Sequence, residues 1–246
     1  MSDIIFEDEQ GNRITREDLA NVTGKIDFSL IGRESIPFEA IEMHQMARQE
    51  GQYGRYAQAI DLLTKTHQLA PDWPYPLYDL AYTYLLQKDF EQALAYYRLT
   101  NRLEPRGFFT CKTAIYALEG EMDKLFPVGQ YLHYLSIEWT NDEDEKLEIA
   151  KAITEQTPDF APAWKELANL LTDTSQRAEV IETGLSKQPD LETKGNLLIN
   201  KALVLDMQNR TNEAIDILGN LVLDSDVTLT NEAMGKFVLA QLASRK

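Results

Sequence analysis

The sequence holds a single cysteine, Cys111, in 246 residues. No intrachain disulfide can form, and a reducing, cytoplasmic setting is the expectation that fits. Histidine is almost as scarce: His44, His67 and His133 are scattered. None has a neighbour at the spacing of a zinc ligand set. Positive charge is short as well. The 24 Lys and Arg stand against 40 Asp and Glu, a net charge of -16. Proteins that neutralise phosphate need a basic stripe, so this balance argues against nucleic acid and against an anionic membrane as partners. The excess carboxylate reads first as a source of solubility. No apolar run approaches the roughly 18 residues of a membrane span. The opening MSDIIFEDEQ is acidic, so no signal peptide is expected there.

Catalytic motifs are missing too. The sequence has no glycine-rich phosphate loop, no Gly-x-Ser-x-Gly, no Cys-x-x-Cys and no His-Glu-x-x-His. Cys111 has no flanking base, so a buried thiol is expected. The acidic run NDEDEKLEIAK from Asn141 reads as a helix start, with Asn141 as its cap and carboxylates at the positive end of the helix dipole. It does not carry the spaced oxygen ligands of a calcium loop. No catalytic residue, cofactor or metal ligand is expected.

What the chain does have is a period. Pro71 and Pro105 are thirty-four residues apart. Met43, Ala47, Ala59, Leu63 and Pro71 have the same spacings as Leu77, Ala81, Ala93, Tyr97 and Pro105. Leu198, Ala202, Ala214 and Leu218 repeat most of the ladder downstream. A period of this size marks a stacked-repeat architecture. The unit reads as a helical hairpin. Its alanines fall where two helices cross closely, its large residues fill the space beside them, and proline stops the second helix. Gly54, Lys88 and Asn209 fall in the turn inside each hairpin.

These residues resemble the tetratricopeptide repeat family, whose pattern is W-x2-L-G-x2-Y, then A-x3-F, then P. The best copy is Leu77-x2-Leu80-Ala81-x2-Tyr84, Ala93-x3-Tyr97, Pro105. A second begins at Met43, a third at Trp164 with a shortened second half, and a fourth near Gly195 without its proline. The resemblance implies an all-α superhelical stack of hairpins with a capping helix at the end. The expected organisation is an N-terminal extension over 1–37, with a small β-hairpin candidate around Gln10-Gly11-Asn12, and two regular repeats over 38–107. An irregular helical segment over 108–158, two divergent repeats over 159–226 and a cap over 227–246 follow. In the irregular segment helices are expected near 107–119, 127–139 and 142–157. Two layouts stay open: a third repeat with an inserted helix, or a lone helix before a degenerate pair.

The resemblance also implies a non-catalytic adaptor or scaffold. The first helix of each pair would line a concave groove for a peptide or protein segment. The side chains it would turn inward include His44 and Arg48 of the first repeat, Tyr75, Tyr78 and Tyr82 of the second, Lys165 and Asn169 of the third, and Asn200 of the fourth. The three tyrosines are spaced i, i+3, i+7 and share one stripe. They belong to an aromatic-rich stretch, Asp72–Pro105, with one Trp, six Tyr and one Phe. The stripe is either open to a partner or covered by another part of the chain. Two alternatives follow from the same resemblance. Some family members clamp the C-terminal carboxylate of heat-shock chaperones, and Lys165, Asn169 and Asn200 match three of the five anchors. The two further cations fall near Thr230 and Met234 and are missing. Self-association through the stack is the other.

Overall fold

A computed structural model describes residues 4–7, 27–30 and 36–244. They divide into two units, Met1–Pro37 and Phe38–Lys246. In the first, β1 (Ile4–Glu7) pairs antiparallel with β2 (Asp27–Leu30), with Ile4 opposite Leu30 and Glu7 opposite Asp27. The partner of the first strand is therefore the KIDFSLIG segment. The second half of the hairpin expected around Gln10-Gly11-Asn12 lies outside the described residues, as does the helix expected over Thr15–Gly24.

The second unit is all-α. Its helices are α1 (Phe38–Gln52), α2 (Tyr56–Leu69), α3 (Pro74–Leu86), α4 (Phe90–Leu103), α5 (Cys111–Met122) and α6 (Gln130–Trp139). They continue with α7 (Glu143–Gln156), α8 (Ala161–Leu170), α9 (Thr174–Ser186), α10 (Leu191–Met207), α11 (Thr211–Leu223) and α12 (Leu229–Ala243). Neighbouring pairs α1/α2, α3/α4, α8/α9 and α10/α11 form antiparallel hairpins stacked into a superhelix, and α12 covers the last pair. The ladder alanines sit at the crossings: Ala47, Ala59, Ala81, Ala93, Ala202 and Ala214 are all buried. Larger side chains there would push the helices apart. Between them lie Leu63, Leu80, Tyr97 and Leu218, also buried.

Backbone geometry resolves the middle segment. The turns after α1, α3 and α10 each place one residue in the left-handed region: Gly54 (φ 72), Lys88 (φ 62) and Asn209 (φ 62). Lys124 (φ 60) does the same after α5. Ala47, Ala81, Ala202 and Ala117 each stand seven residues before these positions. Likewise α2 and α4 end at Ala70 and Glu104, with φ/ψ of -137/73 and -124/70, each followed by proline. The end of α7 at Thr157 repeats this geometry, at -132/71, before Pro158. Helices α5 and α7 are thus the two limbs of a third repeat, and α6 is inserted between them. The limbs have little direct contact; α6 packs on both. Its approach begins where Phe126 lies on Gly120, and a methyl group at Gly120 would overlap that ring. The cap of α7 is Asp142, not Asn141: its carboxylate accepts from the Glu145 N–H at 2.9 Å.

The stack also closes on itself. The Glu192 carboxylate, in the first turn of α10, accepts from the Lys112 and Thr113 N–H groups at 3.2 and 3.0 Å, at the start of α5. Arg106 donates to the Val227 carbonyl and pairs with Glu232, while the Leu229 N–H donates to the Arg106 carbonyl. These contacts tie the fifth repeat and the cap to the entry of the third.

Candidate functional site, a tyrosine-lined cleft

Helix α3 is rigid for local reasons. Pro74 and Pro76 fix its first turn, and Leu77, Leu80, Ala81 and Leu85 bury one face. That leaves Tyr75, Tyr78 and Tyr82 on another face, half-buried. The inserted α6 presents a stripe of the same spacing, Tyr131, Tyr134 and Glu138. The two helices meet mainly through side chains. Thr110 bridges them, with its hydroxyl 2.9 Å from Tyr78 Oη and 3.5 Å from Tyr131 Oη. At the outer end Trp139 Nε1 donates to Tyr82 Oη at 3.1 Å. Tyr78 also packs edge-on against Tyr97 and Phe108. Burial raises the Tyr78 phenol far above its ordinary range despite the Thr110 bond. Tyr78 is thus scaffold for the cleft floor, and Tyr82 stands at its mouth.

Tyr75 lies among His44, Trp73, Phe108 and Phe109, all within ring-contact distance. His44 is buried against Trp73, with Nε2 2.8 Å from Asp79 Oδ2. Arg48 Nε lies 3.8 Å from the same oxygen. His44 and Arg48 therefore bracket Asp79, and the carboxylate expected to repel an anionic ligand is charge-matched by its neighbours.

The other three residues expected to face the groove join one polar relay at the inner end. Lys165 Nζ pairs with Glu166 at 2.6 Å and donates to Tyr134 Oη at 2.8 Å. The Tyr134 hydroxyl donates to Glu166 at 2.8 Å. Burial works against both charges, yet their attraction prevails: Lys165 is held above its ordinary pKa and Glu166 below. Asn169 donates weakly to Glu166, at 3.4 Å, and accepts from Asn200 at 3.0 Å. Asn200 accepts in turn from Arg177. So Lys165, Asn169 and Asn200 are brought together, with Lys165 already neutralised. Tyr78 and Tyr82 lie at the other end of the cleft, and His44, Arg48 and Tyr75 form a third cluster beside it.

The reading of the residues missed Thr110, Tyr131, Tyr134, Glu138, Trp139 and Arg177. Only the i, i+3, i+7 spacing within QYLHYLSIEW could have pointed to α6. Cys111 is buried, with its thiol donating to the Tyr97 carbonyl at 3.1 Å, and burial pushes its pKa up to about 12. That leaves no thiolate at neutral pH. A cleft of about 440 Å³ between α9, α10 and α11 is lined by charges that pair with one another, Lys201 with Glu182 and Arg210 with Glu213. Among the described residues no three His, Cys, Asp or Glu come together to hold a metal, and no helix is long and apolar enough to cross a membrane.

A superhelical stack of α-hairpins with a side-chain-lined inner cleft defines the class. Residues 52–106 match the tetratricopeptide repeat family, and the hairpins beyond them continue the same packing; this is a tetratricopeptide repeat protein. No curated protein matches the sequence. Among solved structures, the chain is similar to the flexible tandem repeat domain of a bacterial cellulose synthase. The identity is 15% and the TM-score 0.50, covering 79% of this chain and 97% of that one. MamA from Desulfovibrio magneticus RS-1 shares 12% identity at a TM-score of 0.37, over 76% and 94% of the two chains. The TPR2AB domain of yeast Sti1, in its pHSP90 complex, shares 14% at 0.39, over 85% of each. At these identities the likeness speaks for the fold alone.

Proposed function

We propose that the protein is a non-catalytic adaptor that binds a peptide or protein segment in the cleft between α3 and α6. The observation that carries this is the pair of facing stripes, Tyr75/Tyr78/Tyr82 and Tyr131/Tyr134/Glu138. Tyrosine offers apolar area and a hydroxyl at low entropic cost, which suits partner contact. The mouth is partly open, with Trp139 49% exposed. Lys165, Asn169 and Asn200 would hold polar groups of the same segment at the inner end, and His44 and Arg48 would extend the contact past Tyr75. The cytoplasm is the setting of this reading, on the strength of a fold that uses no disulfide. A carboxylate clamp is less favoured, since an arriving carboxylate would have to displace Glu166 from Lys165.

The test is quantitative capture of partners by the whole chain and by a Tyr82→Ala/Trp139→Ala double variant, with circular dichroism to check the fold. The expected result is a partner set retained by the first and lost by the second. Identical partners at identical abundance would remove the cleft from the interaction.

A further inference from the structure

The cleft's charges are nearly all spent on one another. Asp79 faces His44 and Arg48, and Glu166 is paired with Lys165. Asp190 caps α10 through the Glu192 and Thr193 N–H groups, and Glu192 sits on the α5 N-terminus. One carboxylate is left over. Glu138 is exposed and has neither an ion pair nor a hydrogen bond among the described residues. It follows Tyr134 by one helical turn and adjoins Trp139, whose indole is pinned to Tyr82. Its field reaches down the cleft. After burial, which is the main cause, its charge is among the influences that raise the phenols of Tyr78, Tyr82, Tyr131 and Tyr134.

Neither Glu138 nor Trp139 belongs to the repeat ladder. Both arrive with the inserted helix, so hairpin packing does not account for them. A half-exposed indole and a phenol beside an unpaired carboxylate match one kind of side chain. A cation gains the ring faces and the ion pair together. An apolar side chain would desolvate Glu138 without pairing it. An acidic one would be repelled, both locally and by the net charge of -16.

We propose that the mouth of the cleft, formed by Tyr82, Trp139 and Glu138, takes an arginine or lysine side chain from a basic segment of the partner protein. This rests on the reading of the cleft as the docking groove. The test is selection from a displayed library of random twelve-residue peptides on the full chain, on Glu138→Gln, on Glu138→Lys and on Tyr82→Ala/Trp139→Ala. Glu138 is on the surface, so its variants should keep the fold, which circular dichroism checks. The wild-type pool should be enriched in Arg and Lys, and the enrichment should vanish with Glu138→Gln and turn toward Asp and Glu with Glu138→Lys. A selected peptide should bind Glu138→Gln roughly tenfold more weakly at low salt. A pool that needs Tyr82 and Trp139 but shows no basic preference would overturn the partner chemistry and leave the groove standing. A chain that selects no peptide at all, or selects equally well without Tyr82 and Trp139, would overturn both.

Discussion

The hairpin of α3 and α4 and the repeat of α5 to α7 share their ends and differ in their middles. Both first limbs carry a crossing alanine, Ala81 or Ala117, seven residues before a left-handed lysine. Both second limbs end in the same bent cap before a proline. In the second repeat the limbs pack directly, and Leu77, Leu80, Ala93 and Tyr97 fill the space between them. In the third, α6 takes up the space between the limbs and carries a tyrosine stripe to face that of α3. A regular hairpin has one inward face per repeat. An interrupted one gains a second, and here that second face builds the cleft. The repeat supplies rigidity, and the departure from it supplies the site.

If the insertion is a true part of the core, the third repeat should be as intolerant of truncation as the second. Phe160 is fully buried and meets the rings of Tyr116, Phe126 and Tyr134 with centroids 6.3, 5.1 and 5.6 Å away. Phe160→Ala should cost about 3–5 kcal/mol, at least as much as Leu80→Ala in the second repeat. Urea unfolding measures both. A cost below about 1 kcal/mol at Phe160 would mean that α6 is loosely attached and cannot hold its stripe in place.

The second difference is electrostatic. The first two hairpins bury no carboxylate like Glu192, whose pKa is pushed up to about 8 by burial and by Asp190, against the pull of the α5 N–H groups. A carboxyl held above its unfolded value binds its proton more tightly in the folded state. Its contribution is full at low pH and is lost as pH rises through the folded value. His67, held low mainly by burial, works in the opposite sense, but only below its ordinary 6.5. Between pH 6.5 and 8 stability should therefore fall by about 2 kcal/mol. Glu192→Gln should flatten that slope. Unfolding midpoints that stay constant from pH 6.5 to 8 would show that the closure of α10 onto α5 holds an ionised carboxylate at no cost.

How much of this could be seen in the residues depends on what each position must satisfy. Crossing alanines are dictated by interhelical distance, so Ala47, Ala81 and Ala202 recur visibly and the fold follows from them. Tyr75, Tyr78 and Tyr82 stood out because the ladder had no use for them. Their counterparts did not, because Tyr131, Tyr134, Glu138 and Trp139 lie on a helix outside the period. Arg177 was hidden for another reason. It stands four residues before Ile181, as Ala93 stands four before Tyr97, which is the place of a crossing alanine. A large side chain fits there because α8 stops at Leu170, three residues short of the α3 pattern. The guanidinium turns to Asn200, and its Nε is buried without a partner. The shortened third copy was legible as spacing, but not what the missing turn made room for.

The turns allow the finest comparison. Gly54 adopts φ 72 freely, whereas Lys88 and Lys124 are held at 62 and 60 with a side chain present. A left-handed non-glycine residue costs about 1–2 kcal/mol, and glycine gives part of that back through its greater freedom when unfolded. Lys88→Gly should therefore stabilise the protein by about 0.5 kcal/mol, and Lys124→Gly by the same amount, while Gly54→Ala should destabilise it by about 1 kcal/mol. Thermal unfolding of the three variants is the measurement. Equal gains at the two lysines would mean that the third repeat keeps an unaltered first turn and that the insertion begins only beyond it. A gain at Lys88 with none at Lys124 would mean that the turn after α5 has been reshaped by the insertion, and that the two repeats share a sequence position there without sharing its strain.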